Sequence, residues 1–272
     1  MDSVWLSDYT WQEVDDYLKT RRTIIVPVGA TEQHGPAGPL GVDTLVAMGL
    51  AEDAARATQS LVAPPLWISD SFHHRAFPGS LWLRSSTFIA VITDIAASLA
   101  QSGFTRQIYV NGHKGTNLPA LTLALRELRE YSYPQALVAV VDPMNLGKDV
   151  ADVIRQEPEH HAGALELSEV MYRFPGSIRV ERLGSEAVDL EAVGDGHLRA
   201  DIFGKGTVAE IPWTSQEQRA FAPSGAIGAS KSASVELGQK FHDAMVHGLV
   251  EFVQWFERYD GPLGAGGGER GS

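Results

Sequence analysis

The sequence contains no cysteine among its 272 residues. This absence excludes disulfide bonds, thiolate zinc sites and a cysteine nucleophile, and it leaves the redox compartment open. Long apolar runs are also missing, because no window approaches the roughly 18 apolar residues of a membrane span. Positive charge is scarce: 22 Lys and Arg stand against 34 Asp and Glu, a net charge of −12. A nucleic-acid-binding protein needs a basic face to neutralise phosphates, so this balance argues against that class.

The remaining composition is that of an ordinary folded protein, with 44% hydrophobic and 21% charged residues. No Gly/Ser-rich or Pro-rich linker interrupts the middle of the chain, so we expect one domain over residues 1–260. Residues 261–272, GPLGAGGGERGS, are expected to form a flexible tail. The first residues lack the basic region and apolar core of a signal peptide. We therefore expect a cytoplasmic protein with a small-molecule substrate.

Apolar runs and helical patterns alternate along the chain. TIIVPVGA, RQIYVNG and QALVAVVD predict buried strands, and SLVAPPLWI predicts a strand that ends or frays at its two prolines. Helical periodicity separates these runs, with a capping box at Thr10 and Glu13 and a helix that ends at Gly103. Continuous apolar strands that alternate with helices indicate βαβ units around a parallel sheet. The sequence therefore predicts an α/β fold.

Polar side chains follow these strands at the edge where ligands bind in parallel sheets. Glu32 and His34 alternate in an extended segment after the first strand, so their side chains point to the same side. Asp43 returns after a loop rich in Gly and Pro, and His113 stands between glycines after the third strand. Glu166 lies in HHAGALELS, where a helix is predicted to begin.

Two imidazoles and three carboxylates are a suitable ligand set for two divalent ions that share one carboxylate. Mixed nitrogen and oxygen ligands suit zinc, manganese or iron. A bound zinc ion lowers the pKa of its water to about 7, so hydroxide is available at neutral pH. The residues alone leave an alternative open, because histidines and polar Gly-rich loops are common without a metal.

Four segments in order, PVGATEQHGPAGPLGVDTLVA, FPGS, YVNGHKGTN and HAGALELS, resemble the signature segments of the creatininase family of metal-dependent amidohydrolases. A weaker resemblance continues through SGAIGASKSASVELGQ. The resemblance implies a three-layer α/β/α sandwich with a mainly parallel central sheet. It also implies two divalent metal ions per chain and a homo-oligomer, commonly a hexamer.

The resemblance also implies roles for the candidate ligands. Glu32 and His113 would hold one ion, His34 and a further carboxylate the other, and Asp43 would bridge the two. Creatininase itself carries a glutamate two residues after the histidine of the third motif, where this chain has glycine. Glu166 is therefore the better candidate for the fifth ligand, and we count it with the catalytic residues.

His161 resembles the proton-transfer residue of the family, which protonates the leaving group after hydroxide attack. His74, Lys114 and Arg75 are the candidates for substrate binding. His74 stands at a family position near the pocket, and Arg75 can contact an anionic substrate. Lys114 departs from the family pattern: it can bind a carboxylate or an oxyanion, or else point to solvent or pair with a neighbouring carboxylate.

The sequence also predicts the surroundings of three residues near the candidate ligands. Asn111 and Asn117 are expected to fix the loop that carries His113 by bonding nearby backbone groups. His73 is expected to be exposed.

The resemblance implies hydrolysis of a small cyclic amide-like C–N bond by a hydroxide shared between two metals, with zinc expected first and manganese or iron as alternatives. The altered loops GPAGP and NGHKGTN are a reason not to assume creatinine itself. Two alternatives stay open. One is a ring-opening C–C hydrolase of a cyclic keto-sugar or inosose in the same family, and the other is a metal-stabilised binding protein without catalysis.

Overall fold

The apolar runs form a parallel sheet. The computed structural model describes residues 3–157, 159–184, 187–189, 198–200 and 209–261. Four strands pair in the order β2-β1-β3-β4, and every pair is parallel: β1 (Thr23–Val28), β2 (Leu61–Val62), β3 (Arg106–Asn111) and β4 (Leu137–Val141). A separate pair of short parallel strands consists of β5 (Leu198–Ala200) and β6 (Ala209–Ile211).

Helices connect the strands, and the signals read from the sequence mark their ends. The capping box at Thr10 and Glu13 begins α1, and α3 ends at Gly103, whose φ is 109°. The helices are α1 (Trp11–Leu18), α2 (Val42–Thr58), α3 (Ser85–Ser102), α4 (Asn117–Tyr131), α5 (Pro143–Leu146), α6 (Lys148–Ile154), α7 (Ala164–Arg173), α8 (Ser215–Phe221) and α9 (Val235–Arg258). Short 3-10 helices cover Leu6–Asp8, Phe72–His74 and Val180–Arg182.

Successive strand residues enter two different hydrophobic cores, because side chains alternate across a strand. Ile25 and Ile108 are fully buried on the face covered by α2 and α9. Ile24 and Tyr109 are fully buried on the face covered by α3 and α4. The predicted three-layer α/β/α sandwich with a parallel sheet is confirmed.

β2 is much shorter than the apolar run that predicted it. Only Leu61–Val62 pair with β1, and the ladder stops before Pro64 and Pro65, which have no N–H to donate. Leu66 returns to β1 through one bridge with Val28. The prolines thus end the strand where the sequence predicted it would end or fray.

The carboxyl ends of β1 and β3 lie side by side, with Val28 paired to Asn111. The loop that leaves β1 runs directly into α2, and Asp43 lies in the first turn of that helix. The polar segments after β1 and β3 therefore meet at one edge of the sheet, as predicted.

Within the described residues, no helix combines the length and the apolar character needed to cross a membrane. A single domain over residues 1–260 stays a prediction. Of the predicted flexible tail, residues 262–272 lie outside the described part of the chain.

Candidate metal centre

Asp43 lies between two histidines that come from different loops. Its Oδ1 is 3.1 Å from Nε2 of His34, and its Oδ2 is 3.2 Å from Nδ1 of His113. The same nitrogen of His113 is 3.3 Å from Oε1 of Glu32, and the same nitrogen of His34 is 3.7 Å from Oε1 of Glu166. The structure thus brings all five candidate ligands together, in two groups that share the Asp43 carboxylate.

Two oxygens of this cluster that face His113 are buried without a hydrogen bond. They are Oε1 of Glu32 and Oδ2 of Asp43. Ligands about 2.1 Å from a tetrahedral ion lie about 3.4 Å apart, close to the 3.2 and 3.3 Å between His113 Nδ1 and the two carboxylate oxygens. Buried polar atoms without a partner are unfavourable unless something supplies the missing interaction. The donor set and its spacing therefore fit divalent cations.

The electrostatics of the cluster favour positive charge at the same place. Burial lowers the pKa of His34, but the Asp43 and Glu166 carboxylates outweigh burial and raise that pKa well above its usual range. Burial raises the pKa of Glu32, but His113 and His74 outweigh burial and hold that pKa well below the usual range. Glu32 thus stays ionised and attracts cations, which a divalent metal site requires.

Close approach of two loops sets this geometry. A Cβ at Gly112, directly after β3, would lie 2.0 Å from the backbone oxygen of Asp43, so only glycine fits there. Nδ1 of His34 lies 3.2 Å from the backbone oxygen of Glu32, which turns Nε2 of the same ring toward Asp43. The local backbone therefore aims the side chains before any ion is bound.

Asn111 and Asn117 fix the loop that carries His113, as predicted. Nδ2 of Asn111 donates to the backbone oxygen of His113 at 2.6 Å, and Nδ2 of Asn117 donates to Oδ1 of Asn111 at 3.2 Å. Oδ1 of Asn117 also accepts the N–H of Asp70 at 3.1 Å, which ties this loop to the one after β2. The two asparagines thus connect the loops on both sides of the cluster.

His161 approaches the cluster from a strained turn. Its Nε2 lies 2.7 Å from the backbone oxygen of Gln33, and its Nδ1 lies 3.8 Å from Oε1 of Glu32. The next residue, Ala162, has a φ of 60°, which residues other than glycine rarely adopt. The N–H of Ala162 donates to Oε2 of Glu166 at 2.8 Å, so the turn and the candidate ligand support each other.

Two groups near this turn have pKa values shifted toward their neutral forms. Burial, together with the neighbouring His34 and His74, holds the pKa of His161 well below its usual range. Burial also raises the pKa of Glu159 to about 8, although the carboxyl accepts the N–H of Leu165 at 3.0 Å. At neutral pH His161 is therefore an uncharged imidazole that can accept a proton.

A cavity of about 590 Å³ opens beside the cluster, and four of the five candidate ligands, all but His34, lie on its wall together with His161. Much of the remaining wall is apolar and comes from segments that follow β4. This apolar part includes Met144, Ile227, Phe241 and Met245. Such a mixture of a few polar groups with an apolar wall is typical of a small-molecule site.

Two of the three substrate-binding candidates lie on the cavity wall. His74 is buried, and its Nε2 is 3.2 Å from Oε1 of Glu32. Lys114 lies at the rim with its side chain 66% exposed, and its Nζ is 2.9 Å from Oδ2 of Asp142. Lys114 thus pairs with a neighbouring carboxylate, which is one of the alternatives that the sequence left open.

The structure does not bring Arg75 to the cavity wall. Its Nε donates to Oγ of Ser215 at 3.3 Å, and its guanidinium lies 5.6 Å from the ring centre of Trp82. The position of Arg75 therefore does not support the prediction of a substrate contact.

Three residues that the sequence analysis did not select also face the cluster. His73 was expected to be exposed, but it is only 6% exposed because α8 packs against the 3-10 helix that carries it. One of its nitrogens lies within 4.8 Å of ligand atoms of Glu32 and His113. Oγ of Ser71 donates to Oε2 of Glu32, and Gln33 bonds two neighbouring imidazoles. The paired histidines of SFHH were a signal for His73, whereas Gln33 and Ser71 carried none.

The family model described as creatininase, creatinine amidohydrolase, matches residues 7–253 of the chain. The 3-dehydro-scyllo-inosose hydrolase of Thermotoga maritima is 28% identical over 270 residues, which cover 92% of this chain and 83% of the relative. The creatinine amidohydrolase of Pseudomonas putida is 27% identical, with 93% and 96% covered. The mycofactocin precursor peptide peptidase of Mycolicibacterium smegmatis is 26% identical, with 85% and 84% covered.

Solved structures of creatininase show the same fold. A crystal structure of creatinine amidohydrolase superposes with a TM-score of 0.78 at 25% identity and covers 95% of this chain and 100% of the other. A Zn–Zn form has a TM-score of 0.77 at 22% identity, with 94% and 99% covered, and an Mn form has 0.76 at 24%, with 94% and 100% covered. The family match spans most of the chain, and the buried His and carboxylate groups fit metal ions. The chain therefore belongs to the creatininase family of metal-dependent hydrolases.

Proposed function

We propose that this chain is a dinuclear metallohydrolase that opens a small cyclic amide by cleaving its C–N bond. The observation that carries the proposal is the position of Asp43, whose two oxygens face His34 at 3.1 Å and His113 at 3.2 Å. A carboxylate with one oxygen toward each imidazole is placed as a bridging ligand would be. Glu32 completes the His113 group, and Glu166 completes the His34 group.

Two divalent ions held by these groups would supply Lewis acidity for the scissile carbonyl and a water of lowered pKa. The mixed nitrogen and oxygen donors favour zinc, with manganese or iron as alternatives. The Zn–Zn and Mn forms of the related creatininase support the first two of these metals.

His161 moves the proton in this proposal. Its Nε2 faces the backbone oxygen of Gln33 at 2.7 Å, and a carbonyl only accepts, so we assign the ring hydrogen to Nε2. Nδ1 then carries a lone pair toward the cluster. It can take a proton from the attacking water and, as an imidazolium, return that proton to the leaving nitrogen. His161 thereby acquires the proton that a general acid must donate.

The apolar part of the cavity wall, from Val46, Met144, Ile227, Phe241 and Met245, suits the carbon skeleton of a small cyclic amide. The second candidate is ring-opening C–C hydrolysis of a cyclic keto-sugar or inosose. It is favoured by the similarity to the inosose hydrolase, which extends over 92% of the chain. A binding protein without catalysis is set aside, because the chain belongs to a family of hydrolases.

Product analysis separates the two candidates. The zinc-loaded protein is incubated with a panel of lactams, cyclic ureas and cyclic keto-polyols, and products are analysed by mass spectrometry and by an assay for free amines. Hydrolysis of a cyclic amide adds one water and creates an amine, whereas C–C ring opening adds one water and creates none. We expect a free amine. Turnover of keto-polyols alone would replace the first candidate with the second.

We also propose that the chain is a cytoplasmic homo-oligomer, a hexamer by the family resemblance. Trp67, Leu81 and Trp82 support an interface because they are 42%, 48% and 38% exposed, which is unusual for large apolar side chains close together in the fold. Light scattering would give the mass of the assembly, and a monomer would overturn this part of the proposal.

A further inference from the structure

The histidines around the cluster differ in what their outer nitrogen contacts. Nδ1 of His34 faces the backbone oxygen of Glu32 at 3.2 Å, and Nε2 of His161 faces the backbone oxygen of Gln33 at 2.7 Å. Because a carbonyl only accepts, each of these outer nitrogens carries a ring hydrogen, which leaves the inner nitrogen to offer its lone pair when a metal is bound. This is the usual state of a histidine that ligates a metal.

His74 has the opposite arrangement. Its outer Nδ1 lies 2.9 Å from Nε2 of Gln33 and 3.3 Å from Nε2 of Gln218. Both partners are amide donors, so Nδ1 accepts and we assign the ring hydrogen to Nε2. Nε2 lies 3.2 Å from Oε1 of Glu32. His74 therefore turns its N–H toward this carboxylate, whereas the other two rings turn a ring hydrogen away from the cluster.

The direction of the hydrogen bonds from Gln33 through His74 toward Glu32 depends on the amide of Gln33. Other partners fix the orientation of this amide. Its Oε1 accepts the N–H of Gly35 at 2.9 Å, and its Nε2 donates to the backbone oxygen of Gly225 at 3.1 Å. Turning the amide over would place its NH2 group against the N–H of Gly35 and its oxygen against the backbone oxygen of Gly225. Both contacts would be unfavourable. The nearby Nε2 of His161, at 2.9 Å, already carries a hydrogen, so the second amide hydrogen of Gln33 goes to His74.

We propose that Gln33 and His74 are positioning residues that hold Glu32 in place for the metal of the His113 group, and that His74 neither ligates the ion nor contacts substrate. This inference rests on the proposed function, in which Glu32 is a ligand. Oγ of Ser71 donates to Oε2 of Glu32, and His74 lies against Oε1. The two contacts fix the orientation of the carboxylate, and Oε1 keeps a lone pair for the ion. Partners of this kind matter, since their loss lowers metal affinity by about 10- to 100-fold.

Three substitutions test which nitrogen of His74 donates and which accepts. His74→Gln keeps an N–H donor near the position of Nε2. His74→Asn keeps an acceptor near the position of Nδ1 and leaves no donor toward Glu32. Gln33→Glu replaces the amide by a carboxylate of the same shape, which draws the ring hydrogen to Nδ1 and turns a lone pair of Nε2 toward Glu32.

Zinc affinity is measured for the wild type and the three variants by competition with a chromophoric chelator, and zinc content by elemental analysis. We expect two zinc ions in the wild type. His74→Asn and Gln33→Glu should weaken one of the two ions by about 10- to 100-fold, whereas His74→Gln should retain both within about threefold. Wild-type affinity in His74→Asn and Gln33→Glu, with an effect on KM alone, would overturn this inference and return His74 to substrate binding.

A wild type that binds no divalent metal would instead overturn the proposed function, and this inference with it. A second measurement does not depend on the variants being folded. Nitrogen-15 NMR of the zinc-loaded wild type, labelled at histidine, reads the tautomer of each ring. We expect the hydrogen of His74 on Nε2, and a hydrogen on Nδ1 would refute the assignment.

Discussion

A partly buried ion-pair network behind the cavity predicts how the stability of the chain depends on pH. His242 on α9 lies 2.9 Å from Oε1 of Glu169 through Nδ1 and 2.9 Å from Oδ2 of Asp53 through Nε2. Arg173 donates to both oxygens of Asp53, at 2.8 and 3.0 Å. The network therefore links α2, α7 and α9, which pack on one another beside the sheet. Burial lowers the pKa of His242, but Asp53 and Glu169 outweigh burial and raise it from 6.5 to about 9.

The shifted pKa of His242 gives the expected magnitude. A rise from 6.5 to about 9 corresponds to roughly 3 kcal/mol, at about 1.4 kcal/mol per pKa unit. Because the pKa is raised in the folded state, this contribution is fully present below pH 6.5 and is lost as the pH rises through about 9. At Glu169 burial outweighs the contact with His242 and raises the pKa of the carboxyl, so the net contribution to stability is smaller than the shift at His242 alone suggests. We therefore expect a loss of about 2 to 3 kcal/mol.

Denaturant unfolding of the wild type and His242→Gln at about pH 6 and about pH 10 measures this contribution. A chelator keeps both proteins free of metal, so that metal binding does not change with pH. The difference in unfolding free energy between the two proteins should shrink by about 2 to 3 kcal/mol at the higher pH. His247→Gln is the matched control, because this histidine lies on the same helix with its side chain 75% exposed. An equal difference at both pH values would refute the reasoning.

Three further predictions concern the metal centre. Asp43→Asn should lower the zinc content, measured by elemental analysis, from two ions to less than one per chain. The control Asp94→Asn, on the exposed face of α3, should leave the zinc content unchanged. Equal zinc content in both variants would contradict the bridging role of Asp43. His161→Ala should lower turnover by about 10²- to 10⁴-fold at unchanged zinc content, and turnover within tenfold of the wild type would remove its proton-transfer role. Gly112→Ala places a Cβ 2.0 Å from a backbone oxygen, so thermal unfolding should show a loss of about 3 kcal/mol or more in the free energy of unfolding. At Gly184 an added Cβ would meet nothing within 4 Å, so Gly184→Ala should change this free energy by less than about 0.5 kcal/mol.

The meeting of the candidate ligands could be predicted because parallel strands deliver their following loops to one edge of the sheet. Glu32 and His113 follow β1 and β3, and those strands are neighbours with Val28 paired to Asn111. The close pairing of Asp43 with both histidines could not be read from spacing. It depends on the approach of its backbone to within contact of Gly112, which is set only when α2 packs against the sheet.

The surroundings of the cluster could not be predicted, because they depend on contacts between distant parts of the chain. Gln218 reaches His74 across 144 positions of sequence, and α8 buries His73, which the sequence suggested would be exposed. Arg75 is likewise drawn away from the cavity by Ser215. These helical segments are too short to show a periodic pattern, so the sequence offers no signal for which of their side chains turn inward.

The metal cluster and the cavity wall come from different parts of the chain, and this separation suggests where substrate choice resides. The candidate ligands follow β1 and β3 or begin α7, whereas the apolar wall includes Phe241 and Met245 from α9. Relatives of this chain include a creatinine amidohydrolase, an inosose hydrolase and a peptide peptidase, so members of one family act on different bonds. If the wall selects the substrate, Phe241→Leu should raise KM or change the preferred ring while zinc content stays constant. Loss of zinc in this variant would instead mean that α9 supports the cluster as well as the wall.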